Sequence, residues 1–122
     1  MFSWLCLCML GCNTPPNAIR ILSSIPNPGN EQTHFSGPTA QIIEEDYGAT
    51  MANITTVRLI DQHDRPFGAG EGRVFSYYRG RPKIKVAWKD SHHLAIECLD
   101  CINGTTTLKE SKHNEIEILY AQ

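Results

Sequence analysis

The segment from Pro82 to Cys98 constrains the fold most, because large apolar side chains occupy every second position in both of its halves. These apolar positions are Ile84, Val86, Trp88, Leu94, Ile96 and Cys98. An apolar residue at every second position is typical of a β-strand that buries one face. The polar residues 89–92 between the two halves favour a turn. The segment therefore predicts a β-hairpin with Trp88 and Leu94 in the core.

Other parts of the chain show the same period of two, and none shows the sustained 3.6-residue period of a helix. Further strands are predicted at residues 40–48, 53–61, 73–78 and 113–120, with shorter ones at 19–22 and 105–108. Short strands at this spacing, separated by turn residues, are typical of sandwiches. We therefore predict an all-β fold, a small antiparallel β-sandwich or curled sheet of about six strands behind a flexible N-terminal tether.

The N-terminal segment, residues 1–12, is apolar but too short to cross a bilayer. Its end, Met9-Leu10-Gly11-Cys12, resembles the lipobox of bacterial lipoprotein signal peptides, although no Lys or Arg precedes Arg20. The resemblance implies that Cys12 becomes the first mature residue and carries the acyl chains of a membrane anchor. The alternative is a frayed apolar N-terminus with a free Cys12 thiol.

The next segment, residues 13–38, is rich in turn residues and predicts a tether. Its prolines are Pro15, Pro16, Pro26, Pro28 and Pro38. Proline pairs favour an extended backbone, which would hold a folded body away from lipid headgroups. We therefore predict a signal segment at 1–12, a tether at 13–38 and a β-domain at 39–122. The predicted location is the bacterial cell envelope, facing the periplasm, or the cytoplasm if residues 1–12 are not a signal.

Basic residues cluster between Arg73 and Lys89, and no acidic residue interrupts them, although the whole chain has a formal charge of −2. The residues of this basic strip predicted to bind an anion are Arg79, Arg81, Lys83 and Lys85. Phosphate groups or anionic lipids would suit such a strip, and a nucleic acid is not favoured as partner. The alternative is a solvated strand face or pairing with Glu on neighbouring strands.

The pair Cys98 and Cys101 has the spacing of a CxxC motif, but a turn follows it rather than the helix of a redox site. A structural disulfide, unpaired thiols and a metal site with His92 and His93 are the alternatives. An exported protein favours the disulfide, because the periplasm is oxidising. Zinc usually needs a second pair of ligands, so no metal and no cofactor is predicted.

No arrangement of catalytic residues is convincing. Glu44, Glu45 and Asp46 are consecutive in a predicted strand, so their side chains should point to alternate faces rather than converge. The chain also lacks the G-x-S-x-G motif of a nucleophile elbow. We therefore predict that the protein is not an enzyme and has no catalytic residues.

Two short motifs resemble an uncharacterised family of small bacterial proteins, many of them lipoproteins. The residues that match are Asp46, Gly48, Ala49 and Thr50 of an Asp-Cys-Gly-Ala-Thr-like motif, and Trp88 and Leu94 of a Val-x-Trp…Leu-x-Ile hairpin. Tyr47 stands where the family has cysteine, so any role of that cysteine is absent here.

The resemblance implies an address and a fold rather than an activity. The prediction is a small cell-envelope lipoprotein that acts as a binding or scaffolding module, with the membrane and an envelope protein as partners. The alternative is a soluble β-domain that binds an anionic partner through Arg79–Lys89.

Overall fold

The computed structural model describes residues 16–31, 37–49 and 51–121, which form strands and two short 3-10 turns. The strands are β1 (Ala18–Ile25), β2 (Thr39–Asp46), β3 (Ile54–Ile60), β4 (Arg73–Tyr78), β5 (Ile84–Asp90), β6 (His93–Cys98), β7 (Thr105–Lys109), β8 (Lys112–His113) and β9 (Ile116–Tyr120). The 3-10 turns are Pro28–Glu31 and Gly70–Gly72.

The strands form two sheets, with the orders β1-β2-β3-β4-β7 and β5-β6-β9-β8. The prediction of an all-β sandwich is confirmed, and β5 and β6 form the predicted hairpin. One detail differs from the antiparallel expectation, because β6 pairs with β9 in parallel. The chain leaves β6, adds β7 to the other sheet and returns, so β9 enters the four-stranded sheet in the same direction as β6.

The core lies between the sheets and is built from alternate residues of their strands. The five-stranded sheet contributes Ala40, Ile42, Val57, Leu59 and Tyr77, and the four-stranded sheet contributes Leu94, Ile96, Ile116 and Ile118. Trp88 and Val86 of β5 pack against this cluster, as the hairpin pattern predicts. The period of two in the sequence is therefore the burial pattern of the sandwich.

Strand β1 lies within the segment 13–38 that the sequence assigned to a tether. It pairs with β2 from Ala18 opposite Asp46 to Ile25 opposite Ala40, with a bulge between Ile21 and Ser23. Its side chains are mostly exposed, so backbone ladder bonds rather than apolar burial hold it in the sheet. The sheet thus begins well before residue 39, and the predicted tether does not extend to residue 38.

The connections between strands gather at two ends of the sandwich. The closed end consists of residues 26–29, 61–72 and 90–92, and the basic end consists of residues 47–53, 79–83 and 99–104. The registers place the starts of β1 and β7 and the ends of β2, β4 and β6 at the basic end. The loops that carry predicted functional residues therefore lie beside Ala18, the first residue of β1.

Candidate functional site

The residues of the family-like motif around Asp46 close the turn between β2 and β3. The Asp46 carboxylate Oδ1 accepts a hydrogen bond from the Gly48 backbone N–H at 2.9 Å. The Asp46 carbonyl accepts one from the Asn17 N–H at 2.6 Å. Ala49 follows in the same turn, while Thr50 and the predicted lipidation residue Cys12 lie outside the described residues. This motif thus fixes the chain entering β1 at the basic end.

The second family-like motif lies away from the first. Trp88 and Leu94 face each other across the hairpin, and Leu94 is fully buried. The Trp88 indole N–H donates to the Ile25 carbonyl at 3.0 Å, which ties the hairpin to β1 at the closed end. The two motifs therefore do not converge on one site.

The predicted basic strip is divided between two surfaces. Arg79 and Arg81 lie in the loop between the sheets, where their φ angles are 75° and 45°. This backbone turns the chain, so Lys85 in β5 lies on the outer face of the four-stranded sheet instead of beside Arg79. On that face Lys85 is directly opposite Glu97 of β6. The four predicted residues thus do not share one surface, and the position of Lys85 opposite Glu97 agrees with the alternative of pairing across neighbouring strands. Anion binding by Arg79, Arg81, Lys83 and Lys85 stays a prediction.

The basic side chains at the basic end differ in their partners. Arg81 Nε lies 3.0 Å from Glu44 Oε2, and Arg20 Nη2 lies 3.0 Å from Glu44 Oε1. The Arg79 guanidinium lies over the Tyr78 ring, 5.5 Å from its centroid. Within the described part of the chain, neither Arg79 nor Lys83 forms an ion pair with a carboxylate, so both remain available to an external anion.

Hydrogen bonds join the three loops of the basic end. The backbone N–H of Arg79 donates to the Asn53 carbonyl at 3.0 Å, and the backbone N–H of Lys83 donates to Asp100 Oδ1 at 2.6 Å. The Leu99 N–H donates to the Lys83 carbonyl at 2.9 Å. Because loop backbone groups are paired in this way, the loops are held in fixed relative positions.

A disulfide joins Cys98 to Cys101 across the start of the loop that follows β6, with their Cα atoms 5.7 Å apart. Both cysteines pack against the core. The side chains of Leu99 and Ile102 are directed outward instead, with 56% and 80% of their surfaces exposed. Leu99 and Ile102 could not be predicted from the sequence, because an apolar residue in a loop gives no periodic signal.

A buried ion pair lies on the outer face of the five-stranded sheet, beside a cavity of about 550 Å³. Glu45 is 1% exposed and pairs with Arg73, and it accepts a hydrogen bond from the Thr56 hydroxyl at 2.7 Å. Arg73 also contacts Glu71 at 2.6 Å. Glu45 thus has its charge balanced within the protein. Glu44 points to the opposite face, so these two consecutive acids do not converge, as predicted from their spacing.

The environment of this pair shifts two pKa values. Burial raises the pKa of the Tyr47 hydroxyl, and the charge of Glu45 adds to the increase. Burial alone would lower the pKa of the Arg73 guanidinium, but hydrogen bonds and charges from Glu45 and Glu71 outweigh it and raise that pKa. The arrangement keeps Tyr47 neutral and Arg73 charged, and Arg73 and Glu45 neutralise each other within the protein.

A second, smaller cavity of about 280 Å³ lies on the outer face of the four-stranded sheet. Its floor is formed by Ala87, Ala95 and Leu119, which are neighbours across three strands. Lys85 and Lys89 border it. This surface is separate from the basic end.

Within residues 16–31, 37–49 and 51–121, no three His, Cys, Asp or Glu side chains come together in a way that could hold a metal ion. The helical turns of the same ranges have neither the length nor the apolar character of a membrane-spanning helix. No protein-family model, no curated protein and no solved structure matches the chain.

Proposed function

We propose that the protein is a small cell-envelope lipoprotein that is anchored through Cys12 and acts as a binding or scaffolding domain rather than as an enzyme. The observation that carries the proposal is the short distance along the chain between Cys12 and Ala18, the first residue of β1. Residues 13–17, fully extended, reach about 17 Å. A lipid on Cys12 would therefore hold the sandwich directly above the headgroups.

The family resemblance is part of the same proposal. The motif Asp46 to Thr50 and the Trp88–Leu94 hairpin resemble small bacterial lipoproteins whose activity is unknown. In this proposal the domain faces the periplasm, and the Cys98–Cys101 disulfide suits that oxidising compartment. An envelope protein is the proposed binding partner.

The test of the anchor is the intact mass of the N-terminal peptide, from full-length protein expressed in a bacterial host. We expect a peptide that begins at Cys12 and carries added acyl mass. The Cys12→Ser variant should lose that mass and move from the membrane fraction to the aqueous one. An unmodified chain beginning at Met1, or a Cys12→Ser variant that stays equally membrane-bound, would refute the anchor.

A second candidate is a soluble β-domain that binds an anionic partner through the basic end. Its support is that Arg79 and Lys83 are exposed and that no described carboxylate pairs with them. Such binding should weaken steadily as salt is added, because exposed charges are screened. An affinity that is independent of salt would exclude this candidate.

A further inference from the structure

We propose that the basic end of the sandwich is a membrane-contact surface that docks onto anionic lipid headgroups. The proposal rests on the proposed function and deepens it, since it names which part of the anchored domain meets the membrane. The surface consists of the apolar side chains of Met51, Leu99 and Ile102 together with the cationic side chains of Arg79 and Lys83.

Three of the seven large exposed apolar side chains of the described residues lie at this end. Met51, Leu99 and Ile102 are exposed by 46%, 56% and 80% and come from two different loops. Among the described residues, the other large exposed apolar side chains lie on β1 and at Leu119 of β9. Apolar side chains that protrude next to cations are the arrangement with which peripheral proteins enter the headgroup region of a bilayer.

The backbone beneath these side chains is already fixed. Three backbone N–H groups join the loops: that of Arg79 donates to the Asn53 carbonyl, that of Lys83 to the Asp100 carboxylate and that of Leu99 to the Lys83 carbonyl. The disulfide closes residues 98–101. The Gly104 N–H also donates to the Tyr77 hydroxyl at 2.6 Å. Because the loops are ordered beforehand, docking would cost little conformational entropy.

The charges of this end favour an anionic surface. Of its carboxylates, Glu44 is paired with Arg20 and Arg81, whereas Asp46 and Asp100 are exposed and accept backbone N–H groups, from Gly48 and Lys83, that leave their charges in place. The cations Arg20, Arg79, Arg81 and Lys83 outnumber these three carboxylates, so this end keeps a small positive charge. The cations that remain without a described carboxylate partner are Arg79 and Lys83. Each basic residue near an anionic leaflet contributes a modest, additive attraction.

The position of the anchor selects this end rather than any other. Ala18 begins β1 opposite Asp46, and the Asn17 N–H donates to the Asp46 carbonyl. Strand β1 therefore begins beside the loops of the basic end, and Pro16 before it lines the cavity on the outer face of the five-stranded sheet. A lipid on Cys12 would bring Leu99, Ile102 and Arg79 to the headgroups, with no need for the domain to turn over.

The first experiment locates the end relative to the bilayer in the lipidated full-length protein. The variants Ile102→Trp and Leu119→Trp are reconstituted into vesicles that contain lipids brominated near the headgroup, which quench nearby tryptophan. We expect a clear loss of fluorescence for Ile102→Trp and none for the matched control Leu119→Trp, relative to the parent with Trp88. Equal quenching at both positions, or none at position 102, would overturn the proposal.

The second experiment measures the charge component without the anchor. The full chain carrying Cys12→Ser is mixed with vesicles of phosphatidylcholine, with or without phosphatidylglycerol, and bound protein is sedimented. We expect Arg79→Gln and Lys83→Gln each to weaken binding to the anionic vesicles about fivefold. Lys89→Gln, a control in β5 on the outer face of the four-stranded sheet, should leave it unchanged. Displacement of the protein by inorganic phosphate at constant ionic strength would identify a free-anion site and overturn the proposal.

Together with the mass of the N-terminal peptide, the two experiments separate failure of the contact from failure of the anchor. If the N-terminal peptide is unmodified while Arg79→Gln and Lys83→Gln still weaken vesicle binding, the anchor is refuted and the contact surface stands. If the peptide is lipidated but Ile102→Trp is not quenched, the anchor stands and the contact surface is refuted.

Discussion

The closed end and the basic end of the sandwich both have hydrogen-bonded loops, but they differ in the side chains that these loops expose to solvent. At the closed end, polar side chains connect the two sheets: the buried Asn27 side-chain amide donates to the Ser91 carbonyl at 2.9 Å, and His113 Nε2 of β8 lies 2.6 Å from the Phe67 carbonyl. At the basic end, the backbone is equally well paired, yet Leu99 and Ile102 point outward.

The difference shows that the exposed apolar groups are not a sign of loose packing. Loops with unpaired backbone groups would be mobile, and their side chains would have no defined direction. Here the disulfide and the hydrogen bond from the Lys83 backbone N–H to the Asp100 carboxylate fix the path of the loop. The outward direction of the Leu99 side chain is therefore a property of the fold. Substitutions at the closed end and at the basic end should therefore differ in how much they change the free energy of unfolding.

The largest effect is expected at Gly72 of the closed end. Its φ is +78°, and a Cβ there would lie 2.2 Å from the Leu59 carbonyl oxygen. We expect Gly72→Ala to lower the free energy of unfolding by about 3 kcal/mol, from backbone strain plus the clash. Gly70→Ala is the matched control, because its φ is also positive but nothing lies near its Cβ, and it should cost only about 1 kcal/mol. Urea denaturation measures both, and equal losses would contradict the close approach at Gly72.

A smaller loss is expected from removing the disulfide of the basic end. The bond closes a short loop, so the variant Cys98→Ala with Cys101→Ala should lose about 2 kcal/mol of unfolding free energy. Urea denaturation with and without reductant measures it. The reductant should destabilise the parent by the same amount and leave the variant unchanged. A parent that is insensitive to the reductant would argue that Cys98 and Cys101 carry free thiols.

A change in titration rather than in stability is expected at His93, beside the closed end. Its ring nitrogen Nδ1 lies 2.8 Å from Asp90 Oδ1, and this hydrogen bond raises the pKa of His93. The resulting stabilisation is present below the ordinary histidine pKa and is lost as the pH rises through the raised pKa. We expect Asp90→Asn to lower the His93 pKa in an NMR titration. Glu117→Gln should lower it less, because Glu117 contributes only through its charge. A larger effect of Glu117→Gln would contradict this assignment.

The smallest effect on stability is expected for the exposed apolar side chains of the basic end. The variant Leu99→Ser with Ile102→Ser should change the unfolding free energy by no more than about 0.5 kcal/mol, because both side chains already face solvent. Thermal melting followed by circular dichroism measures this change. A drop comparable to that of the disulfide variant would mean that these side chains pack against the body, and the contrast between the two ends would fail.

The sequence predicts the strands whose large apolar residues alternate, and those form the core. The hairpin around Trp88 and the last strand with Ile116 and Ile118 belong to this group. Strand β1 was underestimated because its exposed residues carry no burial pattern, and the ladder that holds it is made of backbone atoms. The parallel pairing of β6 with β9 could not be predicted either, since a period of two identifies a strand but not the strand with which it pairs.

The candidate site was less predictable than the core, for two physical reasons. Arg79 and Arg81 adopt positive φ angles that a linear reading cannot anticipate, and these angles separate them from Lys85. The exposure of Leu99 and Ile102 depends on the path of a loop, which the disulfide and distant hydrogen bonds determine. The sequence shows where the basic residues lie along the chain, but not on which surfaces of the folded domain they lie.

The parallel pairing of β6 with β9 has a consequence for the order of folding. The β5–β6 hairpin needs only a short turn and can form within microseconds, whereas β9 must close a long loop before it docks on β6. We expect Ile118→Val in β9 mainly to accelerate unfolding and Ile96→Val in β6 also to slow refolding, as chevron plots would measure. Until β9 arrives, one edge of β6 is an open template, and it is the edge that a chaperone would have to shield in a newly made chain.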